Sequence, residues 1–147
     1  MGDSGMLLGS FEHSIDDKGR LIIPSKIRNK LGELVYVSKG FEGCLEIRHP
    51  EKFEQWSTEI LSSSNTNSST RLLMREIFAN AAEVDFDSVG RIKVPNNLLQ
   101  NVGITKNVII LGLGNKLEIW DKEKYSKYLK DNSSKLEDVA EKFGGAQ

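Results

Sequence analysis

Two short segments hold the residue types in this chain that are best suited to chemistry. The first is Ile15-Asp16-Asp17-Lys18-Gly19-Arg20-Leu21-Ile22-Ile23-Pro24, and the second is Phe86-Asp87-Ser88-Val89-Gly90-Arg91-Ile92-Lys93-Val94-Pro95. Asp, Gly, Arg and Pro recur at identical offsets, with Asp16 and Asp87 71 positions apart. In each copy the Asp leaves one strand as the Arg enters the next, so the two side chains can meet at the neck of a tight turn. A carboxylate placed there holds a planar guanidinium in one orientation, with its outward N–H groups aimed before a ligand arrives. Arg20 can take a phosphate, or the O6 and N7 edge of guanine, with two parallel hydrogen bonds. Lys18 at the tip acts as a point charge on phosphate. Residue types alone fit a plain exposed ion pair, worth about 0–1 kcal/mol, better than a binding site, because surface ion pairs are common. Recurrence of the motif and the neighbouring basic residues favour DNA.

The neighbours matter because the 147-residue chain has a net charge of −1, while DNA affinity comes mainly from neutralising phosphates. Lys18, Arg20, Lys26, Arg28 and Lys30 fall within thirteen residues that contain no acid, which makes a local basic face. The second copy has Val89 where the first has its tip lysine, and Lys93 is the only other base near Arg91. Asp87 and Arg91 therefore read as support for the fold or a subunit contact, ranked below Lys18, Gly19 and Arg20 as a DNA site.

Other candidate groups have blander readings. His13 beside Asp16-Asp17 lacks metal-ligand spacing, as does His49, so no metal or cofactor is expected. The single cysteine, Cys44, lies in an apolar stretch and reads as a small buried residue suited to a reducing cytoplasm. Gly112-x-Gly114 reads as a turn without the rest of a nucleotide-binding fingerprint. Phe53, Trp56, Tyr125 and Tyr128 have helical spacing and read as core or interface before base-stacking platforms. With no nucleophile–base pair, no enzyme is expected.

The elements that must position the motifs follow from pattern. Residues 8–14 read as a strand, and Asp16 to Gly19 as a turn with Gly19 at a positive φ. Arg20 to Ile23 reads as a strand covered on both faces. Pro24 opens a short helix carrying Ile27 and Leu31. Val35 and Val37 pair with Cys44 to Ile47, and His49-Pro50-Glu51 opens a helix with Phe53, Trp56, Ile60 and Leu61 on one stripe. A helix is expected over Thr70 to Ala82. Strand, motif, strand and short helix then repeat over Val84 to Leu99. Val108–Leu111 and Leu117–Trp120 form a second strand pair around a Gly112-to-Asn115 turn. Asp121 caps a further helix, and a last one starts at Ser134. No apolar run has membrane length.

The doubled Asp-x-x-x-Arg signature, each copy followed by Pro and a short helix and the first preceded by Leu7-Leu8-Gly9-Ser10-Phe11-Glu12-His13, resembles the MraZ family over roughly positions 6 to 130. That resemblance implies an α+β fold of two similar AbrB-like, swapped-hairpin β-α-β halves in one pseudo-two-fold domain with extra helices. The expected division is a leading remnant at 1–5, a first half at 6–61, a Ser/Asn-rich linker at 62–69, a second half at 70–131 and a C-terminal helix and tail at 132–147. It further implies a cytoplasmic, nucleoid-associated transcriptional regulator. Such a protein would bind double-stranded DNA as a homo-oligomeric ring, on tandem repeats upstream of cell-division and cell-wall genes. The alternative is a protein-interaction module, antitoxin-like or a ring scaffold.

Overall fold

The computed structural model describes residues 5–62 and 66–145. The rest of the expected leading remnant and residues 63–65 of the expected linker lie outside them. The chain runs through β1 (Leu7–Ser14), β2 (Arg20–Ile22), α1 (Ser25–Leu31), β3 (Leu34–Lys39), β4 (Leu45–Arg48) and α2 (Pro50–Leu61). The same order then returns after a connecting helix. It comprises α3 (Ser68–Phe78), β5 (Ala81–Asp85), β6 (Arg91–Lys93), α4 (Asn96–Asn101), β7 (Asn107–Gly114), β8 (Leu117–Asp121) and α5 (Lys122–Asn132), with α6 (Leu136–Gly145) last. The architecture is α+β, with duplicated β-α-β halves and added helices.

The halves exchange strands. An antiparallel six-stranded sheet runs β1-β7-β8-β4-β3-β5, and β2 pairs with β6 in a separate ribbon. Thus β1 of the first half lies against β7 of the second, and β5 of the second lies against β3 of the first. Leu21 faces Ile92 at the centre of the ribbon, and Glu46 faces Glu118 at the centre of the sheet. Both are pairs of equivalent positions, so a pseudo-two-fold axis passes between them. One core serves both halves: Leu21, Ile23, Ile92, Val94, Leu31 and Val102 pack onto Val35, Val37, Leu45, Val108, Ile110 and Leu117. Burying each such side chain contributes about 1.5–3 kcal/mol.

Alternation explains the opposite face of the sheet. Tyr36, Glu46, Arg48, Glu118 and Trp120 point away from that core, toward α2, α3 and α5. There Tyr36 and Phe78 pack on Phe53, and Trp120 packs on Tyr125 and Tyr128. Glu46 is buried and ionically satisfied: Arg48 Nη1 donates to one oxygen at 2.7 Å and Lys116 Nζ to the other at 2.7 Å. The Arg48 guanidinium also lies 3.9 Å over the Trp56 ring.

Four expectations change. The helix expected over Thr70 to Ala82 begins at Ser68, because the Asn67 carboxamide oxygen accepts the N–H groups of Ser69 and Thr70. It stops at Phe78, since Ala81 and Ala82 are drawn into pairing with Ser38 and Val37 on the open edge of β3. The expected turn at Gly112 to Asn115 is largely strand: β1 pairs along β7 as far as Leu7 with Gly114, extending it. A Cβ on Gly112 would stand 2.5 Å from the Leu8 nitrogen, so glycine is what lets β1 approach there. Strand β2 is covered on one face only, with Leu21 buried and Ile22 exposed. The last helix proper begins at Leu136, after a 3-10 turn at Ser133–Lys135.

Candidate nucleic-acid interface

Each motif folds into the same loop. The Asp16 carboxylate accepts the backbone N–H groups of Lys18 (3.0 Å) and Arg20 (2.9 Å) on one oxygen, and Arg20 Nε on the other at 2.6 Å. Asp87 accepts Val89 N–H (3.0 Å), Arg91 N–H (2.9 Å) and Arg91 Nε (2.7 Å). Each aspartate therefore fixes the loop backbone and the guanidinium at once. The Arg20 backbone N–H, with the Arg20 side chain and Lys18 N–H assisting, holds the Asp16 carboxyl below its ordinary 3.8 despite some opposing desolvation. Asp87 is lowered in the same way, first by the Arg91 N–H. Both arginine side chains are about one-third exposed. Among the described residues no second acceptor engages either one.

The turns need glycine, with φ of +78° at Gly19 and +84° at Gly90. Across the pseudo-axis the loops clasp each other: Ile23 N–H donates to Gly90 O at 3.1 Å, and Val94 N–H to Gly19 O at 2.9 Å. Short β2 carries the chain across the axis, so α1 comes to lie at the second loop and α4 at the first. Leu99 on α4 packs at Gly19, and Arg28, its equivalent on α1, packs at Gly90.

This placement divides the basic cluster seen in the sequence. Asp16, Lys18, Gly19 and Arg20 share a groove of about 900 Å³ at the first loop. Arg28 belongs with Asp87 in a second groove of about 730 Å³, although the sequence places it near Lys18. Lys26 is exposed on α1, and Lys30 donates to the Met6 carbonyl at 3.0 Å. Sequence reasoning missed Lys106 altogether and assigned Lys93 to the second loop. Both line the first groove, together with Asn96 and Gln100. Lys93 stands opposite Arg20 in the β2–β6 ribbon, whereas Arg91 stands opposite Ile22. The available signal was the duplication itself: antiparallel pairing of two equivalent three-residue strands sets Lys93 beside Arg20.

Among the described residues no group of His, Cys, Asp and Glu is arranged to hold a metal ion, and no helix is long and apolar enough to cross a membrane. Cys44 is buried. Burial above all, then the carboxylates of Glu118 and Glu46, pushes its thiol up to about 12.

Comparison with known proteins places this geometry. A family described as "MraZ protein, putative antitoxin-like" matches the chain twice, over residues 6–76 and 77–144. The transcriptional regulator MraZ of Mesoplasma florum is 54% identical over 137 residues, covering 92% of this chain and 94% of that protein. The MraZ regulator of Mycoplasma mycoides subsp. mycoides is 47% identical over 123 residues, 84% of this chain and 92% of its own length. That of Acetivibrio thermocellus is 40% identical over 138 residues, 94% and 96% of the two chains. Two family matches in tandem, one for each Asp–Arg loop, and full-length relatives at this identity show that the chain belongs to the MraZ family.

Proposed function

We propose that this chain is a sequence-specific DNA-binding transcriptional regulator. It works as a ring of identical subunits on tandem repeats upstream of cell-division and cell-wall genes. The observation that carries DNA contact is the Asp-held arginine, built twice with the same three hydrogen bonds and left partly open to solvent. A carboxylate that orients Nε leaves the outer N–H groups preset for a base edge or phosphate. Arg20 reads a base, while Lys18 and the Gly19 turn engage the backbone. Lys26, Arg28 and Lys30 add phosphate contacts, and Arg91 serves as a secondary site. Asp16 and Asp87 orient the arginines. The relatives' name, transcriptional regulator, supports the regulatory role. This role needs no catalytic step, metal or cofactor, and it is exercised in the cytoplasm at the nucleoid.

Exposed apolar faces support the ring. Leu136, Val139 and Phe143 on α6 are 70%, 46% and 76% exposed, and Leu72 and Leu73 on α3 are also exposed. Helix α6 carries Glu137, Asp138 and Glu141 against Lys142, and α3 carries Arg71 and Arg75 against Glu76, so the two helices have opposite net charge and a second copy is the complementary occupant. The same surfaces favour the rival reading, a protein-capturing scaffold. A single loop makes few contacts, and joining several in one assembly raises avidity by about 10²–10⁴. Fluorescence anisotropy tests both readings, using one repeat of the chain's own upstream DNA, several repeats about 10 bp apart, and several with half a turn inserted. In-phase repeats should bind far more tightly than the other two. Equal affinity for all three probes, or a clean monomer by light scattering, would count against the ring. Absence of binding to any probe would leave the scaffold.

A further inference from the structure

The two grooves occupy equivalent places about the pseudo-two-fold axis, yet their walls differ in sign. The first is lined by Lys18, Arg20, Lys93 and Lys106 against Asp16 and Asp17. The second is lined by Arg28 against Glu33, Asp85 and Asp87. Four cations face two carboxylates in one groove; in the other, counting Arg91 held by Asp87, two cations face three. The contrast comes from Lys18, Lys93 and Lys106, whose equivalents are Val89, Ile22 and Glu33, and from Asp85 in place of Ser14, partly offset by Asp17 for Ser88 and by Arg28 for Leu99.

Geometry reinforces the charge. Lys93 is the cross-strand partner of Arg20, so its ammonium rises from the same ribbon as the oriented guanidinium. Lys106 is tied to the opposite side of the loop, since its carbonyl accepts Ile15 N–H at 2.8 Å, just before Asp16. The loop is therefore flanked by a lysine on each side, with Asn96 and Gln100 adding neutral donors. A polyanion laid along this groove meets four cations against the carboxylates of Asp16 and Asp17. Laid along the second groove, it meets Glu33, Asp85 and Asp87 against Arg28 and Arg91. At physiological salt, fields fade within about 8 Å, so groove-lining charges decide which one a phosphate enters.

We propose that the groove at the first loop carries one sugar–phosphate strand of the DNA, with Lys93 and Lys106 as phosphate contacts. Each subunit then offers one principal strand-binding groove, where its internal symmetry would allow two, and Arg28 and Arg91 at the second stay secondary contacts. This rests on the DNA-binding reading above and names the path that reading leaves open.

The test is salt-dependent anisotropy on in-phase repeats of the chain's own upstream DNA. Lys93→Gln, Lys106→Gln and Arg20→Ala are compared with Lys127→Gln on the far side of the sheet. Lys93 and Lys106 are both exposed, so the core is undisturbed. Each of these two glutamine variants should lower affinity and reduce the slope of log K against log salt by about 1, on specific and random DNA alike. Lys93→Arg should restore the slope, and Lys127→Gln should leave it unchanged. If DNA binds in an Arg20-dependent manner but the slope ignores Lys93 and Lys106, the groove assignment is wrong and the DNA reading stands. An equal loss from Lys127→Gln would also overturn the assignment, showing that overall charge is what matters. If wild-type protein binds no DNA, the reading and the inference fall together.

Discussion

Replacing Glu46 by alanine should unfold this protein more readily than any surface change, and the structure says by how much. The Glu46 side chain is 1% exposed and carries two ion pairs, to Arg48 and Lys116. Arg48, 5% exposed, would keep its charge but be left with the face of Trp56. Removing one member of a buried pair costs about 3–5 kcal/mol, and the Trp56 face that Arg48 keeps holds the loss toward the lower end. Lys116 loses little, being 23% exposed with Glu118 already at 3.7 Å. The expected loss is thus about 3 kcal/mol, near the lower end of the range for a broken buried pair. Removing both charges with Glu46→Leu and Arg48→Met should cost less than the single change, because no buried charge is stranded. Urea unfolding at pH 7 and fixed protein concentration measures this. With a slope of about 2 kcal/mol per molar, Glu46→Ala should lower the midpoint by about 1.5 M. A single-variant loss under about 1 kcal/mol, or a double variant as costly as the two singles added, would refute the stranded-charge argument.

Gly90→Ala should cost about 1–2 kcal/mol for the left-handed backbone and expel Arg28, whose Nη1 lies 1.5 Å from where the new Cβ would be. The Arg28 Nε–Hε resonance in a nitrogen–proton spectrum should therefore shift, and an unmoved signal would contradict the clasp. Gly19→Ala should cost a similar amount, with only a 3.1 Å contact to the Val94 carbonyl to relieve. Because folding lowers the Asp16 and Asp87 carboxyls below 3.8, their contribution is complete above that pH and is lost only as pH falls through the lower folded values. Carboxyl-carbon titrations should accordingly find both loops intact at pH 5, and a midpoint at or above 3.8 for either would break the argument. Cys44, buried with its thiol pushed up to about 12, should resist a thiol reagent at pH 8 until denaturant is added. Rapid labelling of native protein would show that its strand opens.

Much of the local design is legible along the chain because local physics sets it. The Asp16–Arg20 and Asp87–Arg91 contacts span four residues around a glycine turn. The caps at His49 and Asp121 likewise need only their own helices. What the chain does not display is partnership between distant segments. Helix α3 gives up Ala81 and Ala82 because β3 has an open edge, and β7 extends through Gly112 because β1 lies against it. Arg28 looks like a neighbour of Lys18 until β2 carries it across the axis, and Lys93 joins Arg20 by the same crossing. Charge read in sequence order therefore assigned two groove residues to the wrong loop.

The exchange of strands between the halves also constrains how the protein is made. β1 leaves the ribosome first, yet its partner β7 follows only after roughly a hundred more residues, about 5–20 s at ordinary elongation rates. During that interval β3 also lacks the flanking β5, and Leu21 has no Ile92 to cover it. The nascent first half thus waits with unpaired strand edges and an open apolar surface, conditions that invite pairing with another chain. The sheet closes only once β7 has been synthesised, so chains emerging side by side from one messenger have time to meet before each has closed on itself.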